Sequence, residues 1–225
     1  MAASAEPYVA DAAAMDWVES PAGGVARKRL EHAGAAESGR VTSIVRYRPG
    51  ARFPLHQHPE GEEFLVLEGT FSDEHGSYPA GTYVLNPHGS SHAPYTREGC
   101  VLFVKLRQYP GERERVVVNA DDLPWLPGRA DGLTQRILYD PPGHPEQVRL
   151  VRIPAGGRAG MHDHPDGEEV LVLEGEIADE NGRYGPLCWL HYRPDSRHAP
   201  YSDTGCLLYV RTGGLTSLEP PDAQG

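Results

Sequence analysis

A pair of histidines one residue apart, a glutamate four residues after the second, and a third histidine 34 residues after that second one occur twice in this chain. They are His56, His58, Glu62 and His92, then His162, His164, Glu168 and His198. On an extended strand residues i and i+2 point to one face, so the two imidazoles of each pair can reach a common point. The carboxylate follows the turns Pro59-Glu60-Gly61 and Pro165-Asp166-Gly167, and the last histidine falls on a later strand-like stretch. Three imidazoles and one carboxylate suit a divalent transition metal, and Fe, Mn, Ni, Cu and Zn all accept such donors. A single H-x-H pair would mean little. The weight lies in every donor keeping its spacing in both copies while many neighbours change. The remaining histidines, His32, His75, His88, His144 and His191, have no histidine counterpart and read as surface or loop residues.

The elements that must position these groups are themselves duplicated. Gly50–Val104 aligns without a gap on Gly156–Val210 at an offset of 106, and 26 of the 55 positions are identical, which marks a tandem duplication. Trp17, Gly24 and Leu30 fall on Trp125, Gly132 and Leu138 at an offset of 108, so the change of offset belongs in a hairpin loop before Gly50. Within each copy, runs such as VTSIVRYRPG, EEFLVLEGTF, GTYVLNP and GCVLFVKL are rich in β-branched and aromatic residues and bounded by Gly, Pro, Asn or Asp. This pattern predicts an all-β chain of two tandem barrels, residues 15–118 and 119–215, each long enough for its own core. Between them, RQYPGERERVVVNADDLP reads as a linker whose Val116–Val118 can pair with a sheet edge. Residues 1–14 read as loose, though their alanines could form a short helix, and the tail 216–225 is expected to fray.

Composition removes several classes of function. A formal net charge of −11 argues against nucleic acid or an anionic membrane surface as partner. No apolar run approaches the roughly 20 residues of a membrane span, and the N-terminal stretch lacks the basic and apolar regions of a secretory signal. Cys100, Cys188 and Cys206 form no C-x-x-C pair and are odd in number, so a reduced, cytoplasmic protein is expected. The expected partner is a small-molecule ligand. The fused pair would pack as an intramolecular pseudo-dimer, which could itself form a homodimer.

Gly50-x5-His56-x-His58-x3-Glu62-x6-Gly69 resembles the first motif of the cupin superfamily, and Gly81-x5-Pro87-x-Gly89-x2-His92 resembles the second, apart from a closing Asn that is Thr96 here. The second copy matches the first motif through Gly156, His162, His164, Glu168 and Gly175. In the second motif it carries Leu187, Arg193 and Asp195 where the first copy has Gly81, Pro87 and Gly89, so the turn before His198 is expected to differ. The early Trp-then-Gly segment, the H-P-E-G-E-E-F-L-V-L-E-G stretch and the H-A-P-Y then G-C ending resemble the ChrR-like cupin subgroup. The resemblance implies double-stranded β-helix (jelly-roll) barrels. It also implies a metal, zinc or iron first with manganese or nickel as alternatives, held by His56, His58, Glu62 and His92 and by His162, His164, Glu168 and His198. Anti-sigma relatives grip a sigma factor through a separate N-terminal zinc-binding helical domain. Residues 1–14 are too short for one and hold neither Cys nor His, so that partner is not expected.

Glu63 and Glu169 could replace Glu62 and Glu168 as donors, but only the latter leave six residues before Gly69 and Gly175. By strand alternation the other carboxylate of each pair points the opposite way. Tyr95 and Tyr201 read as core or rim aromatics, Cys100 and Cys206 as buried small hydrophobes, and Trp17 and Trp125 as anchors of a barrel edge. Arg52 and Arg158 read as surface ion-pair partners, with an anionic substrate as the alternative. Three functions fit these residues. One is a metal-dependent, dioxygenase-like enzyme acting on a small carbonyl or aromatic compound. The second is a non-catalytic zinc-binding sensor or structural module. The third is a binding protein with degenerate sites, which the intact donor sets disfavour.

Overall fold

The computed structural model describes residues 6–34 and 39–215; the expected fraying tail, 216–225, lies outside them. The chain divides into two compact units. One comprises Met15–Asp122; the other runs from Leu123 and includes the N-terminal segment up to Ala14. The strands are, in order, β1 (Tyr8–Asp11), β2 (Val18–Glu19), β3 (Val25–Ala33), β4 (Arg40–Tyr47), β5 (His56–Gln57), β6 (Glu62–Asp73), β7 (Gly76–Pro79), β8 (Thr82–Asn86), β9 (Ser91–His92), β10 (Cys100–Leu106) and β11 (Val116–Asn119). They continue as β12 (Leu126–Pro127), β13 (Thr134–Tyr139), β14 (Gln147–Ile153), β15 (Gly157–Arg158), β16 (His162–His164), β17 (Glu168–Gly175), β18 (Ile177–Ala178), β19 (Arg183–Tyr184), β20 (Cys188–Tyr192), β21 (Ser196–His198), β22 (Tyr201–Ser202) and β23 (Cys206–Thr212). Among the described residues the helical content is one 3-10 turn, Ala120–Asp122, and no helix is long and apolar enough to cross a membrane.

Each unit is a double-stranded β-helix barrel. In the unit containing Met15 the main sheet runs β11-β8-β6-β10-β4-β3-β2, with β7 on β6, and β5 pairs with β9. In the other the main sheet runs β1-β20-β17-β23-β14-β13-β12, a smaller sheet runs β15-β22-β18-β19, and β16 pairs with β21. The two-residue change of offset falls in the first hairpin. The β3–β4 ladder bulges at Leu30 and continues to Ala33↔Arg40, whereas β13–β14 bulges at Leu138 and ends at Tyr139↔Val148.

Of residues 1–14, expected to be loose, 6–14 are described, and they correct that expectation. β1 pairs along the edge of β20, Tyr8 opposite His191 and Asp11 opposite Cys188. β11 pairs in the same way along β8, Val116 opposite Leu85 and Asn119 opposite Thr82. Tyr8 and Val116 differ by the same 108 that relates the two tryptophans, so these are the two copies of one edge-covering strand. Covering an exposed edge satisfies backbone groups that would otherwise recruit other strands.

Alternation along the strands builds both cores. In the first barrel Phe64 and Val66 of β6, Leu102 and Val104 of β10, Val84, Phe71 and Tyr47 pack together with Cys100. In the second, Val170, Val172, Leu208, Val210, Leu190, Ile177 and Ile153 pack with Cys206. The cysteines are thus core filler, and burial pushes the Cys100 thiol up to about 11. Trp17 is held between Lys28 Nζ and the Arg46 guanidinium, 4.7 and 4.2 Å from its ring centre, and Trp125 between Arg136 and Arg152 at 4.6 and 4.3 Å. Both sit beside the edge strands β2 and β12, as edge anchors should. Gly69 and Gly175 have φ of 72° and 71°, and a Cβ there would lie 2.1 Å and 2.0 Å from the carbonyl oxygens of Gly99 and Gly205. No other residue fits.

The turn before His198 also corrects its expectation. Leu187 and Asp195 adopt φ of 65° and 61°, close to the 84° and 78° of Gly81 and Gly89. The second copy therefore makes the same turns without the glycines, and carries the strain that a side chain incurs in the left-handed region. Asp195 is exposed, so Asp195→Gly should relieve that strain at no packing cost. We expect a gain of about 0.5–1 kcal/mol, read as a higher urea midpoint; an unchanged or lower midpoint would show that Asp195 earns its place through a contact.

Candidate metal centres

The first centre is assembled from β5, the start of β6 and β9. His56 on β5 pairs directly with His92 on β9, and the ring centres of His56, His58 and His92 form a near-equilateral triangle with sides of 4.8, 4.9 and 4.7 Å. Glu62 closes the group. Its Oε2 lies 3.5 Å from His58 Nε2 and 3.6 Å from His92 Nε2. The second centre repeats this with His162 opposite His198 across β16 and β21 and ring separations of 4.7, 4.9 and 4.9 Å. Glu168 lies 3.5 Å from His164 Nδ1 and 3.4 Å from His198 Nε2. In each centre one donor atom per residue lies within 4.8 Å of the other three.

Hydrogen bonds away from the centre decide which nitrogen faces it. The backbone carbonyls of Pro54 and Gly160 can only accept, so Nδ1 of His56 and of His162 donates to them, at 2.8 and 3.0 Å, and Nε2 keeps its lone pair for the centre. Nδ1 of His92 and His198 donates in the same way to Asp73 Oδ2 and Asp179 Oδ2, at 3.1 and 3.2 Å. These aspartates are fixed in turn. Tyr78 donates to Asp73 at 2.8 Å and Tyr192 to Asp179 at 2.7 Å, and backbone amides of the following turn donate to each. In the first centre Asn86 donates to Glu62, and Arg115 from the inter-repeat segment donates to both Asn86 and Tyr78.

The residues present fit a metal. Nε2 of His58, His164 and His198 is buried without a hydrogen-bond partner, a costly arrangement for polar atoms in a protein interior unless something accepts the lone pair. Burial lowers the pKa of His58 and His162, and takes His164 down to about 4, so these rings are neutral near pH 7, the form that ligates. Burial would lower His198 as well, but the Asp179 bond and the Glu168 carboxylate outweigh it and raise His198 to about 9. Asp73 and Asp179 resist burial through their His and Tyr donors and stay near 2. Asp–His pairs of this kind orient a ligating ring and raise its basicity.

The structure brings every histidine and glutamate expected as a donor into one of the two clusters. Glu63 and Glu169 point to the opposite face of β6 and β17, as alternation requires, yet both are buried. Tyr83 and Tyr109 donate to Glu63, and Arg211 lies 3.9 Å from Glu169. His191 corrects its expectation, because it is buried on β20 with its ring 5.6 Å from that of Trp189. Arg52 and Arg158 also depart from the ion pairs expected. They lie over the rings of Tyr95 and Tyr201, at 5.3 and 4.7 Å, and those tyrosines are half-buried. Asp73, Asp179, Asn86 and Arg115 went unnoticed in the sequence. The two aspartates do recur at the offset of 106, but a D-x-x-G stretch reads as an ordinary turn.

Below each centre lies a cavity, about 210 Å³ in the first barrel and about 410 Å³ in the second. The structure is similar to that of a provisionally assigned dioxygenase from Nostoc punctiforme, at 17% identity over 89% of this chain and 78% of that one, with a TM-score of 0.71. It is similar to protein Ylba from E. coli, at 14% identity over 98% and 96%, with a TM-score of 0.73. It is also similar to oxalate decarboxylase from Bacillus subtilis, at 14% identity over 93% and 78%, with a TM-score of 0.68. At these identities the likeness concerns the fold. Curated protein sequences give no match. The ChrR Cupin-like domain matches residues 5–110 and again residues 113–216, almost the whole chain. The chain therefore belongs to the ChrR cupin-like family, as a bicupin with two such domains in tandem.

Proposed function

We propose that this protein is a metal-dependent enzyme in which His56, His58, Glu62 and His92 hold one divalent metal and His162, His164, Glu168 and His198 another. The reaction is oxygen-dependent, dioxygenase-like chemistry on a small carbonyl or aromatic compound. One observation carries the reading: each donor cluster lines a cavity instead of being sealed on all sides. A structural zinc site is closed by four protein ligands, whereas a catalytic one keeps a position open toward space that a substrate can fill. Iron or manganese suits the mixed histidine and carboxylate donors, and manganese(II) centres are described in the oxalate decarboxylase of Bacillus subtilis.

The chain's own residues do the positioning. The Pro54 and Gly160 carbonyls and Asp73 and Asp179 hold four of the six donor rings, His56, His162, His92 and His198, which lowers the rotamer entropy lost when a ligand arrives. Ile153 and Ile177 in the second cavity, and Phe53 and Phe71 in the first, give the space beside each cluster apolar walls. A bound metal would supply Lewis acidity and, if redox-active, a route for electrons to O₂. Elemental analysis of untagged protein purified without oxygen tests this reading, followed by oxygen-consumption assays on small carbonyl compounds. Iron or manganese approaching two equivalents per chain, with substrate-dependent oxygen uptake, is expected. Stoichiometric zinc that no exogenous ligand perturbs would overturn it.

A further inference from the structure

The two cavities share their histidine and glutamate wall and differ in the wall that faces it. β14 turns Gln147, Arg149, Val151 and Ile153 into the second cavity, and β4 turns Val41, Ser43, Val45 and Tyr47 into the first. Arg149 and Ser43 are equivalent positions. Each pairs across its ladder with the same residue of the next strand, Val210 or Val104. The first cavity receives its arginine from the neighbouring strand instead. Arg27 of β3 lines it, where the second copy has Gln135. The duplicated barrels thus carry one inward arginine each, on different strands. A second arginine accompanies each, Arg107 in the first cavity and the exposed Arg129 in the second.

Among the described residues neither inward arginine has an acidic partner at ion-pair distance. Arg149 is half-buried; its terminal nitrogen donates to Gln147 Oε1 at 3.0 Å and Thr212 Oγ1 at 2.8 Å, and its Nε is buried without a partner. Arg27 is likewise half-buried, donates to Ser20 Oγ at 3.2 Å, and leaves its Nε buried and unpartnered. The second cavity also contains Glu168, which belongs to the donor cluster, and Asp163 and Asp166 at its exposed mouth; Asp163 lies 3.8 Å from Arg197. Burial, together with the neighbouring Arg129, lowers the Arg149 pKa against the pull of Glu168 and Asp140. A guanidinium taken from water without a counter-charge is expensive, and a carboxylate offers it two parallel acceptors.

We infer that the ligand of both cavities is a small organic carboxylate, held by Arg149 in the second barrel and Arg27 in the first with its other end toward the histidine cluster. The second chamber is the roomier. Ile153, Ala159 and Ile177 line it where Tyr47, Phe53 and Phe71 line the first. This inference names the substrate class of the reaction proposed above and rests on that reading.

Calorimetric titration of the zinc-loaded protein, which cannot turn over, tests it with benzoylformate and with the neutral methyl ester of benzoylformate. The acid should bind at least ten-fold more tightly than the ester. Arg149→Gln and Arg27→Gln should each remove one binding event while zinc content stays unchanged. Arg129→Gln, at an exposed position that folding tolerates, should weaken the second event a few-fold. Equal binding of acid and ester, or arginine variants that keep zinc and bind the acid as wild type does, would overturn the inference. Failure of the protein to take up any metal would instead sink the metal-enzyme reading, and the same titration on chelator-treated protein would still report the arginine preference.

Discussion

His58→Ala and His164→Ala should each lower the metal content by one equivalent per chain and leave the second equivalent in place. Both rings are almost wholly buried and sit at one corner of a three-histidine triangle. Alanine therefore removes a donor that no neighbour can replace. Loss of a hydrogen bond that merely supports a ligand costs about 10–100-fold in metal affinity, and loss of the ligand itself should cost more. Each cluster belongs to its own compact unit, so the two losses should be separable and the double variant should hold no metal. The check is the metal-to-protein ratio after dialysis against a competing chelator. Two equivalents retained by either variant would remove these residues from the ligand set.

The second large effect concerns Asp179. In metal-free protein at pH 6, Asp179→Asn should destabilise the fold by about 3–5 kcal/mol, the cost of removing one member of a buried ion pair. Asp179 and His198 are both nearly inaccessible and 3.2 Å apart. The pH dependence distinguishes this from a simple packing defect. His198 is raised to about 9 from an unfolded value near 6.5, so its contribution is complete below about pH 6.5 and is lost as the pH rises through 9. Asp179 is depressed to about 2, so its contribution is present above about pH 4 and lost only as the pH falls toward 2. His198 alone should therefore cost metal-free wild type about 3 kcal/mol of stability between pH 6 and 9, read from urea unfolding and partly offset near pH 6 by the lowered pKa values of His58, His162 and His164, and Asp179→Asn should lose far less over the same range. With metal bound the trend should reverse, because ligation competes with the proton on His198. A variant whose pH profile parallels wild type would show that Asp179 does not govern His198.

Much of this molecule can be read from residue order, for reasons local to the chain. His56 and His58 share a face because strands alternate, and His162 and His164 do so again. The same rule separates Glu62 from Glu63, and the structure shows one in the cluster and the other bound by Tyr83 and Tyr109. Alternation does not say whether the opposite face is wet. Glu63, Glu169 and His191 are all buried where a solvated face would be the simple expectation. The glycine pattern misled in a similar way. It implies a different turn before His198, but the surrounding barrel imposes the same backbone on Leu187 and Asp195, because tertiary contacts outweigh the 1–2 kcal/mol that a left-handed residue costs.

The sequence by itself determined the duplication, the all-β barrels and the eight histidines and glutamates that cluster, because each depends on spacing along one strand or on comparison between two copies. Only the tertiary structure decided which groups surround those donors. Asp73 reaches His92 across 19 residues, Arg115 reaches Asn86 across 29, and β1 finds β20 at the far end of the chain. It also decided that Arg27 and Arg149, unrelated by the repeat, face equivalent cavities. Such pairings form when strands distant in sequence close into one barrel, and strand alternation gives the facing of a residue without naming its neighbour.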